Sequence, residues 1–136
     1  MIFRLSFCSP FSPDINELGD MPGDNIIPTF RNIAWLDFLK QMQNEDDSKI
    51  HFSPSLEIEN KENLHGLAIS IVGEPGNYEW YIFYRRPKEV KMLFGLIKKQ
   101  NEQYTTDITG QTEQDVITCI EALLKNDLAF LEHKVR

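Results

Sequence analysis

Glu57 and Glu59 stand two positions apart in a stretch of alternating apolar and polar residues. Both carboxylates therefore leave a strand on one side, about 7 Å apart at strand spacing. Hydrolytic acid–base chemistry uses a carboxylate pair at such a distance, and any strand with two outward glutamates also has it. His51, on the same polar side, would complete a His–carboxylate pair, although outward polar residues on a strand ordinarily only face water. His65 begins a strand, and His133 lies three residues from the end of the sequence. Cys119 falls on or beside the apolar stripe of a helix, the place of a packed thiol rather than a nucleophile. Cys8 and Cys119 are far apart in the sequence, and both are expected to be reduced and buried. Two distant cysteines and three isolated histidines make no zinc pattern. The seven glycines are scattered without a G-x-G, so no phosphate-cradling loop is present. No enzyme, metal or cofactor is expected.

Charge says more. With 21 acidic and 14 basic residues the chain carries −7. Six of the basic residues (Arg85, Arg86, Lys88, Lys91, Lys98, Lys99) fall between 85 and 99, with Glu89 the one acid among them, so the remainder carries −12. A basic ribbon thus lies on an acidic body. Lysines of this kind protect a sheet edge from further strand pairing. The acidic remainder keeps a protein dispersed, and it also complements a basic protein partner and steers its approach. Direct nucleic-acid and anionic-membrane binding are disfavoured, because phosphate would be repelled over most of the surface.

These residues need a frame. Ile2 to Phe7 alternate as a first strand. Residues 8–29, rich in proline, glycine and acid, read as a long acidic loop, with room for a helical turn at 14–18. Ile33, Trp35, Leu36, Phe38, Leu39 and Met42 predict an amphipathic helix over 32–44, capped by Asn32 or Thr29 and followed by the acidic run Glu45, Asp46, Asp47. Negative charge there opposes the helix dipole, which fits a solvated turn. Ile50 to Ile58 alternate as a strand that Pro54 places at an edge or bends.

Residues 65–73 and 78–86 form a hairpin around Glu74-Pro75-Gly76-Asn77, whose Pro-Gly pair suits a type II turn. A four-residue connection sets Ile71 opposite Trp80, Ile69 opposite Ile82 and Leu67 opposite Tyr84 on one face. Ala68, Ser70 and Val72 then share the other with Glu79, Tyr81, Phe83 and Arg85. Rings beside small residues make a shallow apolar surface rimmed by charge, as protein interfaces do, unless a further helix covers it. A strand over 88–97 with Gly95 as a bulge, and a short one at 103–108, are expected next. Thr112-Glu113-Gln114-Asp115 reads as a capping box opening a last helix with Val116, Ile117, Ile120, Leu123 and Leu124 inward. Leu128, Phe130 and Leu131 extend the pattern as a separate helical turn.

The 136 residues, 41% of them hydrophobic and 11% aromatic, suit a single domain spanning 1–136 that needs no disulfide or metal. The expected fold is α+β: an antiparallel meander sheet of about four to six strands, with a helix from the N-terminal half and a C-terminal helix packed on one face. The first residues make a poor signal peptide, since Arg4, Pro10 and Pro13 interrupt them, and no apolar run is long enough to cross a membrane. A cytoplasmic location is expected.

The stretch Trp80-Tyr81-Ile82-Phe83-Tyr84, the bend Phe94-Gly95-Leu96, and the ending from Thr109-Gly110-Gln111-Thr112-Glu113-Gln114-Asp115 to Leu131 resemble bacterial immunity proteins. These are the small antidotes of contact-dependent growth inhibition and related polymorphic toxin systems. The resemblance is one of size, acidity, α+β order and closing helix, spread loosely over the whole chain, and it carries over no functional residue. It implies a non-catalytic monomer that binds one cognate toxin domain one to one, often a basic nuclease. On that expectation Glu45, Asp46, Asp47, Glu57, Glu59 and Glu79 supply the charge, Tyr81 and Phe83 the apolar anchors, and Arg85 part of the rim. An adaptor or phage-type accessory binding protein shares every one of these features. A small hydrolase using His51 and the glutamates would instead need a concave pocket that gathers them.

Overall fold

Phe3, Leu5 and Phe7 of strand β1 (Ile2–Cys8) are buried on one face of a sheet, and β1 is paired on both sides. A computed structural model describes residues 1–92 and 97–136, with side chains outside 89–102. Among these residues six strands form one antiparallel sheet in the order β2-β1-β3-β4-β5-β6. They are β2 (Ile15–Pro22), β3 (Ser55–Asn60), β4 (Gly66–Glu74), β5 (Asn77–Met92) and β6 (Ile97–Gln111), besides β1. Helices α1 (Ile26–Asn32) and α2 (Trp35–Gln43) carry the chain from β2 across to β3, while α3 (Glu113–Leu124) and α4 (Leu128–Lys134) follow the last strand. The expected α+β sheet with helices on one face is what forms.

The core lies between that face and the helices. Leu56 and Ile58 of β3, Leu67, Ile69 and Ile71 of β4, and Trp80, Ile82 and Tyr84 of β5 meet Phe30, Trp35, Leu39, Val116, Ile120 and Leu123 from the helices. Trp35 links several of its rings: its own ring meets Trp80 edge-on at 5.0 Å and Phe7 at 5.8 Å, and its indole N–H donates to the Phe30 carbonyl at 2.9 Å. Such ring pairs add about 0.5–1.5 kcal/mol each beyond the area they bury. The hairpin forms in the expected register, with Ile71 opposite Trp80 and Leu67 opposite Tyr84.

Helix α3 opens on the expected box: the Asp115 amide donates to Thr112 Oγ1 at 3.2 Å and the Thr112 amide to Asp115 Oδ2 at 2.9 Å. It closes on a Schellman motif. The Asn126 amide donates to Leu123 O and the Asp127 amide to Ala122 O, with Asn126 left-handed at φ 60°. The separate turn after it is α4, capped by the Asp127 carboxylate on the Phe130 amide.

Several expectations are corrected. Residues 8–29 are not one loop: they hold β2, a 3-10 turn (Gly23–Asn25) and the start of α1. Strand β2 pairs on one side only and leaves nearly all its side chains exposed, so nothing selects an apolar alternation. Gly19, at φ 97°, serves the irregularity where Leu5 faces Gly19 and Ser6 faces Glu17. Pro28 sits in the first turn of α1, where its missing N–H costs no helical bond. The helix expected over 32–44 is α2, which starts only at Trp35 because Ile33 is extended, and a separate helix, α1, precedes it. Neither Asn32 nor Thr29 caps α2, and Thr29 instead donates to the Asn25 carbonyl.

Pro54 does not mark an edge. It precedes an interior strand that begins at Ser55, so its missing donor falls outside the ladder. The turn is not type II, since the positive φ belongs to Gly73 (126°) and not to Gly76. The strand expected at 88–97 is the continuation of β5 to Met92, past an irregularity at Pro87, and the one at 103–108 is part of the longer β6. The expected bulge at Gly95 lies outside the described residues, as do Phe94 and Leu96.

Candidate functional site

Strand pairing lays out the sheet face opposite the helices in rows. One row runs Asp20, Arg4, Glu59, Gly66, Arg85, Thr105; the next runs Glu17, Ser6, Glu57, Ala68, Phe83, Asp107; a third holds Cys8, Ser55, Ser70 and Tyr81. Val72 and Glu79 follow. Among the described residues no helix lies over these rows, and Glu57, Glu59, Glu79, Tyr81, Phe83 and Arg85 are each partly exposed. Period-two alternation fixes this outcome, because each position next to a core residue must point the other way.

The charges are arranged rather than scattered. Arg85 reaches Glu59 at 3.8 Å, Arg4 reaches Glu17 at 3.4 Å, and Ser6 Oγ donates to Glu57 Oε2 at 3.4 Å. Glu57 has no cationic partner among the described residues. Glu79 is engaged by its own sheet, accepting from the Gly110 amide at 3.2 Å. Two adjoining depressions share Glu57 and Arg85. One, of about 190 Å³, is walled by Arg4, Ser6, Glu17 and Glu59, and the other, of about 210 Å³, by Gly66, Ala68, Phe83 and Thr105. The small residues of β4 form the floor between the carboxylates of β3 and the rings of β5.

Six of the nine expected binding residues thus share one face. Glu45, Asp46 and Asp47 do not join them. They lie in the connection after α2, where Glu45 lines a different depression with Phe11, Ser48, Lys49 and His51. His51 precedes β3 instead of lying in it, and its amide donates to the Pro10 carbonyl at 2.7 Å. Glu57 and Glu59 share their depressions with arginine and not with His51. Both thiols are free and buried, as expected. Burial, helped by the Glu57 charge, raises the pKa of Cys8, and burial pushes Cys119 up to about 11, so neither is a ready thiolate at neutral pH.

No protein-family model, no curated protein and no solved structure matches the chain. Among the described residues no group of three or more His, Cys, Asp or Glu could hold a metal ion, and no helix is long and apolar enough to cross a membrane.

The sequence left two groups unassigned. Arg4, Glu17 and Asp107 belong to the open face. Arg4 alternates visibly, but Glu17 could be placed only once β2 was a strand. The second group surrounds Arg86, which is 2% exposed and not part of a surface ribbon. It donates to both Glu132 oxygens at 2.9 Å, to Tyr84 O at 2.8 Å and to Thr106 Oγ1 at 2.7 Å, and its guanidinium lies 4.2 Å over the Tyr84 ring. His65 Nδ1 meets the Tyr84 hydroxyl at 2.6 Å, and burial, seconded by Arg86, lowers the His65 pKa. This network ties α4 to the sheet.

Proposed function

We propose that this protein is a non-catalytic binding protein of the immunity type, whose open sheet face covers a basic surface of a cognate toxin domain, in the first instance a nuclease. The observation that carries the reading is the face itself. It gathers Glu17, Glu57, Glu59, Glu79 and Asp107 around Tyr81 and Phe83, with Arg4 and Arg85 as the cations among them. A nuclease must hold phosphates with lysine and arginine, and an anionic face with central rings complements that cleft in charge and in apolar contact. Exposed charge pairs contribute little, whereas desolvated central ones couple by about 1.5–7 kcal/mol. Glu57, beside Phe83 and without a cationic partner among the described residues, is the carboxylate best placed to form such a pair.

The test is growth rescue. Coexpression with the C-terminal domain of the protein encoded immediately upstream of its gene should restore growth that this domain arrests, and a Glu57→Lys, Phe83→Ser variant that keeps its circular dichroism should not. Full rescue by that variant rejects the face. Absence of any rescue by the unaltered chain rejects the immunity reading.

A further inference from the structure

On the opposite side of the molecule the helices leave one end of the sheet uncovered. Ile33 is extended between α1 and α2, so α2 begins only at Trp35, and Gly73 offers no side chain beside Tyr78, its partner in the hairpin. A cavity of about 270 Å³ opens there, walled by Trp35, Leu36, Tyr78 and Trp80, with Asp37 and Glu113 among its lining. It is a depression open to solvent, with polar and apolar lining in similar measure, wide enough for one aromatic or branched side chain to lie in it. Its rim is apolar and open: Leu36 is 45% exposed and Tyr78 43%.

The charge at the rim is of one sign. Asp37 lies in the first turn of α2 and Glu113 opens α3; no lysine, arginine or histidine lines the cavity, and neither carboxylate has an ion-pair partner among the described residues. Each helix N-terminus offsets about half a charge, which leaves the rim net negative. The Trp80 indole N–H is buried and has no partner among the described residues, so recognition rests on apolar contact and charge.

We infer that this depression docks a short basic segment of a protein partner, one apolar side chain seating between Leu36 and Tyr78 over the edges of Trp35 and Trp80 while flanking lysine or arginine meets Asp37 and Glu113. The site is separate from the open sheet face and stands whether or not that face binds a toxin.

The two tryptophans of the chain both line the cavity, so the indole resonances and fluorescence report on it directly. Titrating the full chain with acetyl-Lys-Phe-Lys-amide should shift the indole signals saturably. Acetyl-Glu-Phe-Glu-amide should bind at least tenfold more weakly, and acetyl-Lys-Gly-Lys-amide should give no saturable shift. D37N with E113Q should weaken binding about fivefold, as expected for two exposed charge pairs. Leu36→Lys should abolish it, and the open-face variant Phe83→Ser should bind as the unaltered chain does. Equal response to the three peptides, unmoved indole signals, or loss of binding in Phe83→Ser overturns the inference.

Discussion

Arg86 cannot release its charge, so at 2% exposure its stability depends on the groups around it. Glu132 supplies the counter-charge and keeps 40% side-chain exposure. Removing one partner of a fully buried pair costs about 3–5 kcal/mol, and the partial exposure of Glu132 lowers the expectation for Glu132→Ala to about 2–3 kcal/mol in urea unfolding. Arg86→Met combined with Glu132→Leu should recover most of that loss. The Glu132 carboxyl titrates below its usual 4.5 because it accepts from Arg86. Its contribution is therefore complete above pH 4.5 and is lost as pH falls through the depressed value, and Glu132→Gln should flatten that acid limb. His65 works in the same direction at higher pH. Its folded pKa lies below 6.5, so the unfolded chain takes the proton first and stability declines as pH drops below 6.5; His65→Asn should remove that slope in unfolding free energies measured at successive pH values. None of this was legible in the sequence, where Arg86 counts as one more cation of a ribbon and its partner stands 46 residues away.

At the scale of elements, what could be read was what is local. The capping box needs four consecutive residues, and the hairpin register needs only a turn and an alternation, so both are legible in the sequence. Thr112→Ala should cost about 1 kcal/mol and should act on α3 first, visible as faster amide exchange in its opening turn. Gly73→Ala should cost more, about 2 kcal/mol or above in thermal or urea unfolding. A side chain there is strained at φ 126° and would stand 2.5 Å from the Asn77 carbonyl oxygen. Strand β2 was hidden for the opposite reason. An edge strand exposed on both faces is chosen by its neighbour and not by its own pattern, and an acidic stretch broken by Gly19 looks like a loop until β1 is beside it.

At the scale of the molecule, the one-sided layering separates two kinds of ring. Trp80 faces the helices, and Trp80→Ala should cost about 3–5 kcal/mol in urea unfolding. Tyr81 and Phe83 face away from the core, and the double change to serine should leave a single cooperative transition of nearly unchanged midpoint. A large loss there would show that the face is interior after all. The faces were readable from alternation, and so were six of the nine candidate residues. Only charge links the acidic run at 45–47 to them, and charge carries no information about the side of the sheet.

The placement of β1 also sets how the chain must assemble. One of its neighbours, β2, follows it directly; the other, β3, comes only after two helices, with Phe3 opposite Asn60. The hairpin of β4 and β5 can close in microseconds, but the union of β1 with β3 waits on a long loop and should dominate the refolding barrier. During synthesis, at about 5–20 residues per second, the apolar strand that emerges ahead of its inner partner stays half-paired for seconds. That interval is when the nascent polypeptide most needs a chaperone's shelter.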